Sequence, residues 1–124
     1  MKAIHYDAEG DILSVTFSEA TGQNHSSIEL SDNIVLYYNS ETEKPLQLIL
    51  VSYQAMVEAS QQTPILLDGL AQAPAKVQAT ITTLLQQRPL TAFLQLMSAQ
   101  GKLPLTSRLQ EVFTPTALQM VAAH

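Results

Sequence analysis

Three carboxylates at alternate positions, Asp7, Glu9 and Asp11, lie in the stretch YDAEGDIL between two apolar runs. Oxygen ligands at every second residue suit a hard cation. An EF-hand calcium loop places them at its positions 1, 3 and 5, with Gly at 6 and Glu at 12. Here position 6 is Ile12, the glycine comes early at Gly10, and position 12 is Ser18, so the calcium-loop pattern fails. A hairpin turn accounts for each residue: Asp7 accepts backbone hydrogen bonds as an Asx turn, and Gly10 takes a positive φ that reverses the chain before Asp11. The alternative is a surface cation site. In a β-meander the turn at Asp32 falls at the same end of the sheet, so Asp7, Glu9, Asp11 and Asp32 form a candidate calcium or magnesium set. They are also the basis for an alternative reading as a small metal-dependent enzyme.

Other chemistry finds less support. His5 and Asp7 share a strand face, but His25 begins a later strand about 10 Å away at strand rise per residue, and His124 is the last residue, so no two-histidine metal site follows. Cysteine is absent, which removes disulfides, thiolate zinc sites and cysteine nucleophiles. There is no G-x-S-x-G elbow, P-loop or G-x-G-x-x-G, and Gly10, Gly22, Gly69 and Gly101 are too dispersed to cradle a phosphate. No catalytic residues and no cofactor are assigned. Tyr37 and Tyr38 face opposite sides of one strand and cannot form a single stacking platform. The net charge of −5 with only six Lys and Arg argues against nucleic acid as a partner, because neutralising phosphates needs clustered basic residues. The sequence has neither the apolar run of a signal peptide nor a membrane-length segment, so the expected compartment is the cytoplasm, with no membrane partner.

The elements that would position these residues are legible from periodicity. With 124 residues, 46% of them hydrophobic, the chain is long enough to fold around a core. Leu13, Val15 and Phe17 alternate with Ser14 and Thr16, as Ile4 and Tyr6 do one run earlier; both patterns predict strands with one buried face. Ile28 and Leu30 mark a third strand, IVLYY a fourth after the SDN turn, and PLQLILV a fifth. The connections predict antiparallel neighbours, hence a five-strand meander. In the last two strands Ile34, Leu36 and Tyr38 oppose Val35 and Tyr37, while Leu46, Leu48 and Leu50 oppose Ile49 and Val51. Both faces are apolar there, so both are expected to be covered. SYQAMVEAS predicts a helix over one of them.

Composition changes near Ser60 to Thr63. Residues 1–58 carry nine acidic residues against two lysines, whereas residues 59–124 carry two acidic against four basic residues and five of the six prolines. The second half predicts helices. Val77, Ile81, Leu84 and Leu85 form one apolar stripe, and Leu90, Phe93, Leu94 and Met97 form another. Short helices are expected after Thr63-Pro64 and Thr114-Pro115, and one or two further turns around Leu109, Val112 and Phe113. Gly101 and Pro104 would close the Leu90 helix.

YDAEGDIL, followed by IVLYYN, a polar turn and LQLILVS, resembles the YuzE-like family of small bacterial proteins with a domain of unknown function. The resemblance is carried by Tyr6, Asp7, Glu9, Asp11, Ile12 and Leu13, and spans residues 1–58. It implies a small antiparallel sheet with a packed helix and no established activity. The chain has Tyr37 and Ile49 where that family usually has acidic residues, in keeping with a covered second face. The expectation is thus an α+β protein: residues 1–60 as an antiparallel five-strand meander with one helix, and residues 61–124 as an all-helical extension packed on the sheet or on a second subunit. Its expected action is non-catalytic, through contacts with itself as a homodimer or with another protein.

Overall fold

A computed structural model of the chain describes residues 3–18, 25–96 and 106–109. The first half contains the five expected strands: β1 (Ala3–Asp7), β2 (Ile12–Thr16), β3 (His25–Ser31), β4 (Ile34–Asn39) and β5 (Lys44–Val51), followed by helix α1 (Tyr53–Gln62). Every neighbouring pair is antiparallel. The order is β1-β2-β5-β4-β3, which corrects the meander: β5, not β3, lies beside β2. Two features of the sequence favour this. Residues 17–24 between β2 and β3 make the longest connection in the sheet, so β3 need not dock where β2 ends. β5 is apolar on both faces and takes the central position, whereas β3 exposes His25, Ser27 and Glu29 and suits an edge, where polar side chains discourage further pairing.

One face of this sheet builds the core. Leu13, Val15, Leu36, Leu48 and Leu50 are fully buried, in rows set by the register Val15–Leu48–Leu36 and Leu13–Leu50–Ile34. The second half packs on that same face. It contains β6 (Ile65–Leu66), α2 (Asp68–Ala71), α3 (Ala75–Leu85), a 3-10 turn (Leu90–Ala92), β7 (Leu94–Leu96) and β8 (Thr106–Leu109). Tyr53, Leu70, Ile81, Leu84, Leu85, Leu90, Phe93, Leu94 and Leu109 join one hydrophobic cluster with the inner side chains of the sheet. Two edge-to-face aromatic pairs tie the layers together: Tyr6 with Tyr53 at 6.5 Å and Phe17 with Phe93 at 6.0 Å between ring centroids. Gly69 lets α2 touch β3, since a Cβ there would overlap the Glu29 carbonyl oxygen.

The Val77–Leu85 stripe is a helix, with Ile81, Leu84 and Leu85 buried. The all-helical extension needs correction. β6, β8 and β7 form a second, three-stranded antiparallel sheet in that order, with Ile65 opposite Ser107 and Leu94 opposite Leu109. The stretch predicted as a helix from Leu90 makes one 3-10 turn and then becomes β7, although Leu90, Phe93 and Leu94 are buried as their spacing implied. After Thr63-Pro64 comes β6, not a helix, and Leu109 ends a strand. A short apolar run reads equally as buried strand or buried helix, and here β8 supplies backbone partners to both β6 and β7. Side chains of α1 finish that strand: the Ser60 hydroxyl accepts from Leu109 N–H at 2.9 Å, and the Gln61 amide donates to the Leu109 carbonyl at 3.3 Å. Met97, Gly101, Pro104, Val112, Phe113 and the Thr114-Pro115 helix lie outside the described residues. Among the described residues no helix is long and apolar enough to cross a membrane.

Candidate functional site

The acidic turn is built as the Asx reading requires, with one change. The Asp7 carboxylate accepts from Glu9 N–H at 3.1 Å and Gly10 N–H at 3.4 Å. Positive φ, however, belongs to Asp11 at 53°, where aspartate tolerates the left-handed region better than most residues do. That conformation turns Asp11 toward the start of α1. Its Oδ1 accepts from Gln54 N–H at 3.0 Å and from the Tyr6 hydroxyl at 2.7 Å; Oδ2 accepts from Ala55 N–H at 3.4 Å, and its backbone carbonyl accepts from Tyr53 N–H at 2.8 Å. Asp11 therefore caps a helix that begins more than forty residues later. Ser52, the residue that precedes the helix in sequence, has φ 55° and makes no side-chain cap bond. A carboxylate at this position satisfies first-turn amides and complements the positive end of the helix dipole.

Tyr6 completes this junction. It is 3% exposed and stacks edge-on with Tyr53 while its hydroxyl holds Asp11. Burial, reinforced by the hydrogen bond and negative charge of Asp11, pushes its phenol from the ordinary 10.0 up to about 12.

The four carboxylates singled out in the sequence do not converge on one point. Asp7, Glu9 and Asp11 share the β1–β2 turn, Asp11 being spent on the helix; Asp32 lies in the β3–β4 turn, at the same end of the sheet but on the far side of β5. Asp32 instead borders a recess of about 310 Å³ with Glu29, Ser31, Asp68, Gly69 and Gln72. Among the described residues no group of three or more His, Asp or Glu side chains is arranged to hold a metal ion. His5 and His25 are exposed and stand on opposite edge strands. The buried serines are occupied: Ser60 also donates to the Val57 carbonyl, Ser107 donates to the Arg108 carbonyl, and Ser31 accepts from Asn33 N–H. A second groove of about 530 Å³ separates the β4–β5 turn from α3; there the Thr80 hydroxyl faces Glu43 at 3.4 Å, beside Lys44 and Gln87.

The outer face of the five-stranded sheet is apolar at its centre. The registers Ile12–Val51 and Ile49–Val35, with Tyr37 two residues beyond Val35, join five apolar side chains into one strip across β2, β5 and β4. All five are half-buried, and none belongs to the hydrophobic cluster of the inner face. His5, Ser14, Thr16, Gln47, Ser27 and Glu29 surround them. Among the described residues, each element outside the sheet sends its core side chains to the inner face. Sequence reading had identified the apolar outer positions but had no means of assigning the second half to a face. It missed the capping role of Asp11, for which there was no local signal, since Ser52 before the helix is itself a favoured cap residue. No family model, no curated protein and no solved structure matches this chain.

Proposed function

We propose that this chain is a cytoplasmic interaction module, without catalytic chemistry of its own, which acts through protein contacts made by the outer face of its five-stranded sheet. The observation that carries the reading is the strip Ile12, Val51, Ile49, Val35 and Tyr37, contiguous in register and partly exposed. Apolar patches rimmed by polar residues on a rigid support favour association, because burying them gains the hydrophobic free energy without reordering the chain. The acidic balance of the chain favours a protein partner over nucleic acid. Asp11 and Tyr6 serve this function indirectly, by locking α1 to the β1–β2 hairpin at one end of the sheet.

The test is a tagged pull-down from lysate of the native organism, with the absolute mass of the eluted species, run in parallel for wild type and Ile49→Lys. A stoichiometric complex, whether with itself or with another protein, that is lost in the variant at unchanged circular dichroism supports the reading. A complex that survives Ile49→Lys, or a wild type that stays monomeric and captures nothing in stoichiometric amount, overturns it.

A further inference from the structure

Resting on that reading, we infer that the outer face receives a second copy of this chain, related to the first by a two-fold axis that runs along β5. The strand order makes β5 the central strand, with β1 and β3 each two strands away, about 10 Å to either side. The register then sets one row across the whole sheet: His5, Ser14, Ile49, Val35, Glu29. Its middle is apolar, and its ends carry an imidazole and a carboxylate. Both end residues are exposed and share the outer face with Ile49 and Val35. Rotation about β5 lays the sheet on its copy, apolar strip on apolar strip, and puts His5 over Glu29 of the partner subunit. The reciprocal pair forms on the other side, as an isologous interface demands. An imidazole N–H donates to a carboxylate whether or not the ring is charged. The other in-plane axis, across the strands, would set His5 on His5 and Glu29 on Glu29.

The same operation brings the Asp7 edge toward the Asp32 turn of the partner subunit, so the acidic end opposes association. Five strands of about five residues present roughly 400 Å² of projected area per copy, which is small for a permanent interface and suits a reversible dimer. Aligned packing of twisted sheets keeps the mean strand directions within about 30° of each other, so the axis lies within about 15° of β5 and the pairs at both edges stay near register.

Sedimentation velocity over a series of protein concentrations tests the inference. Wild type is expected to pass from monomer to dimer, and Ile49→Lys to remain monomeric. His5→Glu and Glu29→Lys alone each place like or unpaired charges at both ends, and each weakens the dimer about tenfold or more. An equimolar mixture of those two variants recovers association as a heterodimer, because one edge then opposes the introduced acid to the introduced lysine and the other retains the native pair. Asp32→Asn tightens the dimer about two-fold, within the range of an exposed charge contact. A mixture that does not recover, a dimer indifferent to Ile49→Lys, or an Asp32→Asn variant that loosens it overturns the arrangement. A wild type that is monomeric at every concentration overturns the second copy as occupant. If that monomer still captures another protein through Ile49, the interaction reading stands and only this inference falls.

Discussion

The two faces of the five-stranded sheet carry comparable apolar character at their centre and have different fates. On β5, Leu48 and Leu50 point inward and are fully buried, while Ile49 and Val51 point outward and remain partly exposed. On β4, Ile34 and Leu36 are fully buried and Val35 and Tyr37 are not. What separates them is the company each keeps. The inner side chains share one hydrophobic cluster with α1, α2, α3 and the small sheet, and the outer ones do not belong to it. Apolar alternation thus marks surface that seeks burial without saying whether the chain itself provides it.

Substitutions on the two faces should part company sharply. Leu48→Ala opens a cavity between layers that cannot collapse onto it, and is expected to cost about 2–5 kcal/mol in urea unfolding, the largest effect considered. Ionising the inner face at Tyr6 comes next. The folded chain holds the phenolic proton up to about pH 12, whereas the unfolded chain releases it near 10. Stability contributed by the neutral phenol is therefore complete below pH 10 and is lost as pH rises from 10 to 12, a fall of roughly 2–3 kcal/mol from this residue. Tyr6→Phe should remove that alkaline slope, which pH-dependent denaturation would read directly.

At the junction of the two faces, Asp11→Ala removes the cap of α1 and leaves the Tyr6 hydroxyl without its acceptor; the expected loss is about 1–2 kcal/mol. Asp11→Asn, which keeps an acceptor oxygen, should recover most of it. Calorimetric melting of the pair separates capping from charge. The smallest effect belongs to the outer face: in the dissociated monomer, Ile49→Thr should change stability by less than about 0.5 kcal/mol, as is usual for substitutions away from the core. A loss comparable to that of Leu48→Ala would mean that the outer face is core after all, and would dissolve the contrast.

Much of this architecture could be read along the chain. Leu13 and Val15 in β2, Ile81, Leu84 and Leu85 in α3, and the Asx turn at Asp7 all follow from local spacing and turn chemistry, and the structure has them where the spacing placed them. Leu90, Phe93 and Leu94 mark where local reading ends: their burial was legible, but their backbone conformation depended on β8, a strand that begins ten residues after β7 ends. Asp11 is a second case. As a turn residue it was visible, but as the cap of α1 it was not, because its partners are the amides of Gln54 and Ala55.

By itself, then, the sequence determined which segments alternate, that the Val77–Leu85 stripe forms a helix, where the first hairpin turns, and that a cysteine-free chain has no thiolate chemistry. Tertiary structure decided the order of the strands, the small second sheet, the carboxylate that caps α1, and which apolar face the described helices and small sheet pack on. The physical reason is range. Periodicity and turn preference act between residues a few positions apart, whereas strand order and layer packing select among distant partners whose side chains fit equally well in the local pattern.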